Sequence, residues 1–145
     1  MSTLFAVDPG KWKYGWALLH NEVIVDAGWS DFDVLPEAIH NLSGKHLDRV
    51  VFEWPQVYPG PRNEDPNDLL DLAFTLGMVE KELRVQEFYG KVERFHPREW
   101  KKQVPKNIHN RRALNRMTPE EKKIVGSNHN VIDAAALGIW ACGRW

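Results

Sequence analysis

The stretch Leu4-Phe5-Ala6-Val7-Asp8-Pro9-Gly10 decides how the rest of the chain is read. Four apolar residues in a row, closed by an acid and a Pro-Gly turn, mark a buried central strand with a carboxylate at its carboxyl end. Outward from it, Tyr14 to Leu19 and Val23 to Ala27 are two further strand segments joined across His20-Asn21-Glu22, so the chain opens as an antiparallel three-strand meander. Pro36 to Leu42 suits a helix stopped at Ser43-Gly44. A fourth strand is expected over Arg49 to Trp54, followed by a loop from Pro55 to Pro66. Asn67 to Arg84 is an amphipathic helix, with Leu69, Leu70, Ala73, Leu76, Gly77, Val79 and Leu83 at helical spacing. Val92 to Phe95 is a short fifth strand, and from Pro97 the chain reads as helical and basic. Thr118-Pro119-Glu120-Glu121 is a helix start with a capping hydroxyl, and the last helix covers Asn128 to Trp140. This order describes a single α/β domain over residues 1–145, built on one mixed sheet.

The 145 residues are 43% apolar and 27% charged, a globular balance for one core. No apolar run reaches the ~18 residues of a membrane helix, and the start does not resemble a signal peptide, so a cytoplasmic protein without a membrane partner is expected. The lone Cys142 excludes an internal disulfide framework and a four-cysteine zinc site. A net charge of −1 hides an asymmetry: residues 1–90 carry 7 Lys/Arg against 15 Asp/Glu, whereas residues 91–123 carry 11 against 4. An acidic body beside a basic segment fits metal-binding carboxylates next to a polyanion-binding surface; two solvated faces that neutralise each other would look the same.

Three acids stand in apolar surroundings. Asp8 ends the first strand, Glu53 follows Val50-Val51-Phe52, and Asp133 is the only charge in Val131 to Trp140. A buried carboxylate costs several kcal/mol unless it is paired or coordinates a cation. Any one of them alone has an ordinary structural explanation. Together they point to a divalent cation site with oxygen ligands, Mg²⁺ above all. Two metals about 4 Å apart can activate a water and stabilise the leaving oxygen of a phosphodiester. Asn130 and His129 lie three and four residues before Asp133, near its helix face, and either could complete the shell; a capping side chain and a solvent-facing histidine are the plain alternatives.

At this point a family becomes visible. Leu4 to Gly10 followed by Tyr14-Gly15-Trp16-Ala17 resembles the first strand and hairpin of RuvC-like Holliday junction resolvases, members of the ribonuclease H-like superfamily. Val51-Phe52-Glu53 is similar to the second acidic motif, and Asn130-Val131-Ile132-Asp133-Ala134-Ala135 to the closing one. The resemblance spans essentially the whole chain, and the short length and divergent closing motif suit a phage or otherwise divergent member. It implies a ribonuclease H-like fold, a five-stranded mixed sheet with the antiparallel meander first and helices on both faces. It further implies a dimeric endonuclease that nicks four-way junctions symmetrically, with two Mg²⁺ per active site and Mn²⁺ able to substitute. By matching motif, Asp8 would bridge the metals and Glu53 and Asp133 would each hold one. Asn130 stands where the family places an acid or histidine, which puts the second metal in question unless His129 substitutes.

The basic segment offers Arg98, Lys106, Arg111, Arg112 and Arg116 as DNA-binding residues, since phosphate neutralisation supplies affinity independent of sequence. Lys101 or Lys102 resembles the family's catalytic basic residue after the fifth strand, and Arg111 or Arg112 a second; neither pair can be separated by sequence. Tyr58 is a candidate for stacking on an unpaired base, although a lid over the core is the commoner role for a loop tyrosine. Trp16, Trp29 and Trp140 are expected as core or strand-packing residues. The helix over Asn67 to Arg84 would be the dimer surface by analogy, but packing on the sheet explains its stripe more simply. Rival readings are a nuclease for flaps or RNA–DNA hybrids, a non-catalytic junction-binding module, and a kinase-like ATPase. The last is set aside because such enzymes repeat the fold twice.

Overall fold

A computed structural model of the chain describes residues 2–42, 47–57, 65–88, 90–102 and 104–145. The elements are β1 (Thr3–Pro9), β2 (Lys13–His20), β3 (Val23–Asp31), α1 (Glu37–His40), β4 (Arg49–Glu53), α2 (Pro66–Val85), β5 (Lys91–Phe95), α3 (Pro97–Trp100), α4 (Lys106–Asn115), α5 (Pro119–Val125) and α6 (His129–Ala141). The strands form one sheet in the order β3-β2-β1-β4-β5. The β1–β2 and β2–β3 pairs are antiparallel, and the β1–β4 and β4–β5 pairs are parallel.

Strand β1 lies at the centre, which is why Leu4 to Val7 are all buried. Alternation divides its side chains between two cores. Leu4 and Ala6 join Ala17, Leu19 and Val51 under α6, while Phe5 and Val7 join Trp16, Val50 and Phe52 under Ile39 of α1 and Leu76, Val79 and Leu83 of α2. Helices therefore cover both faces, as expected from the family resemblance. Among the described residues no helix is long and apolar enough to cross a membrane.

The hairpin between β2 and β3 turns on Asn21 and Glu22, both at positive φ (49° and 70°), the twist that a two-residue turn needs. Strand β3 runs on to Asp31, past the expected end at Ala27. Gly28 does not break it: a β-carbon there would stand 2.9 Å from the Trp16 ring, so the glycine makes room for the indole, whose Nε1 donates to Ser30 Oγ at 3.0 Å. The expected helix at Pro36 to Leu42 contracts to a single turn, with Pro36 as a cap that offers no side-chain acceptor. Its expected stop at Ser43-Gly44 lies outside the described residues. The basic segment resolves into three helices, with Pro97 and Pro119 first in theirs and Pro105 at the cap of α4, positions that need no proline N–H. Trp16 is buried as expected, whereas Trp29 and Trp140 are half-buried against the α6 side of the sheet.

The helix start at Thr118 forms as read. Glu121 N donates to Thr118 Oγ1 at 3.1 Å and Thr118 N donates to Glu121 Oε1 at 3.0 Å. Glu121 is 1% exposed and also accepts from Ile24 N (2.8 Å) and from both terminal nitrogens of Arg144 (2.8 Å each). One carboxylate thus fastens α5 and the chain terminus to strand β3.

Candidate active site

Val7 of β1 pairs in register with Phe52 of β4, so Asp8 and Glu53 are the next residues on adjacent parallel strands. Asp8 shares a face with Leu4 and Ala6, and Glu53 with Val51, so both carboxylates lie on the face covered by α6. Gly15 sits opposite Asp8 on β2. A β-carbon on Gly15 would stand 2.3 Å from the backbone oxygen of Asn130. This absence of a side chain lets the first turn of α6 rest on the sheet beside Asp8, and Asp133 follows one turn on. Farther along, Gly138 meets Leu19 and Ala6 in the same way.

The three acids feel one another. Burial pushes the Asp8 carboxyl well above the ordinary range, Glu53 and then Asp133 add to this by repulsion, and Lys101 opposes it. Burial raises Glu53 as well, against the pull of Lys101. Burial works against the Lys101 ammonium, yet Glu53, Asp133 and Asp8 hold its pKa above the usual lysine value. Lys101 Nζ lies 3.0 Å from Glu53 Oε2, over the Trp100 ring at 5.0 Å, and Trp100 Nε1 donates to the same carboxylate oxygen at 3.1 Å. Asp133 is 6% exposed, and its Oδ1 has no hydrogen-bond partner. Among the described residues no group of three or more His, Cys, Asp or Glu side chains is arranged so that it could hold a metal ion. The three acids and the Lys101 ammonium are close enough to act on one another's charge, and one buried Asp133 oxygen is unsatisfied. Such a set of hard oxygen donors suits a divalent cation.

The structure places the two neighbouring lysines differently. Lys101 reaches Glu53, while Lys102 is exposed with φ at 56°. The cap of α6 is Asn128, whose Oδ1 accepts from Asn130 N at 2.9 Å, so Asn130 is not the capping residue. Asn130 is half-buried beside Gly15, and His129 is exposed in the first turn of α6. Arg98 on α3 and Lys106, Arg111, Arg112 and Arg116 on and after α4 are all exposed. Arg111, Arg112 and Arg116 line a groove with Ile108 and Asn115, and Arg112 also lies over the Trp145 ring at 5.8 Å. Tyr58 lies outside the described residues.

Sequence reasoning missed His109. It is 3% exposed, with ring contacts to Trp100 (4.8 Å) and Trp145 (5.0 Å). Burial first, then the charges of Lys101 and Arg112, bring its pKa down to about 4, so the imidazole is neutral at physiological pH. The signal was present: His109 and Ala113, four apart, are the buried residues of a largely polar, basic helix.

No protein-family model matches the sequence, and no curated protein does. Solved structures match nearly end to end. Thermus thermophilus RuvC in complex with a Holliday junction substrate aligns with a TM-score of 0.64 at 14% identity, over 96% of this chain and 91% of that one. The yeast mitochondrial Holliday junction resolvase Ydc2 gives 0.55 at 13%, over 99% and 78%. The fowlpox virus resolvase, in complex with Holliday junction DNA, gives 0.52 at 14%, over 95% and 97%. The chain has the ribonuclease H-like fold of the RuvC-like resolvases.

Proposed function

We propose that the chain is a structure-selective DNA endonuclease that resolves four-way junctions by Mg²⁺-dependent phosphodiester hydrolysis. The observation that carries this reading is the convergence of Asp8, Glu53 and Asp133, from three separate elements, beside Lys101 and next to the exposed basic surface of α3 and α4. Asp8, Glu53 and Asp133 would hold the cation, with Mn²⁺ able to replace Mg²⁺ and Asn130 or His129 able to add a ligand. When bound, the metal supplies an activated water and charge stabilisation of the leaving oxygen. Lys101 offsets part of the charge and burial penalty of the carboxylates, and the arginines of α4 hold the phosphate backbone. Paired nicks on opposing strands require two such sites, supplied by a homodimer. The likeness to three junction resolvases supports the substrate class at the level of the fold.

The test is Asp8→Asn on a synthetic four-way junction with Mg²⁺. Loss of nicking with junction binding retained is the expected result. Cleavage at the wild-type rate would overturn the site. Asn130 in the closing motif favours a second reading, a junction-binding module without catalysis; wild-type protein that binds junctions tightly with Mg²⁺ or Mn²⁺ and never nicks them would establish it instead.

A further inference from the structure

A cleft of about 320 Å³ opens between α3 and the start of α4, its wall including Arg98, Lys101, Lys102, Lys106, His109 and Asp133. With Lys101 paired to Glu53, Lys102 and Lys106 still outnumber Asp133 on this wall, so the cleft favours anions. Two buried polar atoms of its wall residues lack a hydrogen-bond partner, Nε2 of His109 and Oδ1 of Asp133. The rings of Trp100 and Trp145 pack against the imidazole and fix its plane. Lys106, on the wall, is also the first residue of a ten-residue helix whose cap, Pro105, has no side-chain hydrogen bond to the first turn, so the positive end of the α4 dipole adds to the field.

A buried imidazole nitrogen left without a partner costs free energy unless a ligand satisfies it. The geometry points to a phosphodiester subsite: His109 Nε2 donates to a DNA backbone phosphate oxygen whose charge is balanced by Lys102 and Lys106. As a neutral donor between fixed rings, His109 supplies direction where the flexible lysines supply charge. Asp133 on the same wall sets the phosphate next to the acid cluster. The inference deepens the proposed nuclease reading and rests on it for the identity of the anion.

The test reads the His109 side-chain nitrogen by two-bond ¹H–¹⁵N correlation in metal-free wild-type protein, titrated with a short single-stranded oligonucleotide and with its uncharged methylphosphonate analogue. The phosphodiester strand is expected to shift Nε2, and the methylphosphonate strand to leave it in place. An unmoved Nε2 while backbone signals of α4 move would overturn the subsite, and so would equal shifts with both strands. His109→Phe keeps the ring between the two tryptophans and removes the nitrogen. In single-turnover cleavage of a four-way junction it should lose about tenfold, the usual scale of one charge-assisted hydrogen bond. Methylphosphonate at the contacted phosphate should slow the wild type by a similar factor and the variant no further; losses that multiply at every phosphate position would overturn the contact. A wild type that cleaves no branched DNA removes the nuclease reading, whereas the nitrogen shift still decides the subsite.

Discussion

Gly15 and Asn130 are in backbone contact: the Cα of Gly15 on β2 faces the Asn130 carbonyl so closely that a β-carbon would come within 2.3 Å of its oxygen. The contact lies one strand from Asp8 and one helical turn before Asp133. It is the joint at which the sheet and α6 bring two of the three acids together.

Gly15→Ala therefore forces α6 away from the sheet. Backbone cannot yield as a flexible side chain would, and overpacking of this kind costs about 1–3 kcal/mol. The expected outcome is a thermal midpoint lower by several degrees and a larger loss of junction cleavage than the stability change explains. Calorimetry and single-turnover cleavage check the two parts, and wild-type cleavage would remove the joint from the account.

Lys101 and Lys102 should separate in the same assay. Lys101→Met leaves the carboxylates without their cation and is expected to reduce cleavage by roughly a hundredfold, the scale for loss of a buried charge partner. Lys102→Met removes one exposed phosphate contact, so the expected change is a modest weakening of junction binding and a shallower dependence of affinity on salt. Equal losses for both variants would contradict the pairing of Lys101 with Glu53.

Glu121 supplies a pH dependence away from the site. Burial alone would raise its pKa, but the hydrogen bonds from Arg144, Thr118 and Ile24 win and bring it down to about 2 from an ordinary 4.5. A depressed carboxylate stabilises the fold above its unfolded value and loses that contribution as pH falls from 4.5 toward 2. The amount is of the order of 3 kcal/mol. Glu121→Gln is expected to lower the midpoint by about 10 °C at neutral pH and to flatten the acid limb of the stability curve. Thermal melts at a series of pH values measure both; an unchanged acid limb would show that the ion pair is not the source.

Helix α2 buries Thr75, Leu76, Val79 and Leu83 on the sheet but leaves Leu70 67% and Phe74 44% exposed. Phe74 forms a ring cluster with Trp12 and Phe32, and Gly77 nearby meets nothing within 4 Å. A second copy docking on this patch would give the homodimer. Leu70→Glu combined with Phe74→Glu is expected to yield monomers by sedimentation and to uncouple paired nicks into single ones. A wild type that sediments as a monomer at high concentration would refute this arrangement.

Much of this architecture was legible because its causes are local. The apolar run before Asp8 forms the central strand, the Thr118 capping box closes within four residues, and the lone charge in an apolar helix marks Asp133. The acids could be named for the same reason, since each is anomalous against its own neighbours. The length of β3 was missed because Gly28 is explained only by the Trp16 ring on the next strand. The break between α3 and α4 was missed because charge density masks the inward pair His109 and Ala113.

The amino-acid order alone determined the sheet-forming segments, the Thr118 helix start and which three acids stand in apolar surroundings, because burial and capping are set within a turn or a strand. Tertiary packing decided that Lys101 rather than Lys102 meets Glu53, 48 residues away in sequence. It also decided that Asn128 rather than Asn130 caps α6, and that His109 is buried against Trp100 and Trp145 in the wall of the cleft that Asp133 also lines. Neighbouring lysines, or asparagines two apart, differ little in local preference; which one points inward depends on the surface that another part of the chain presents to it.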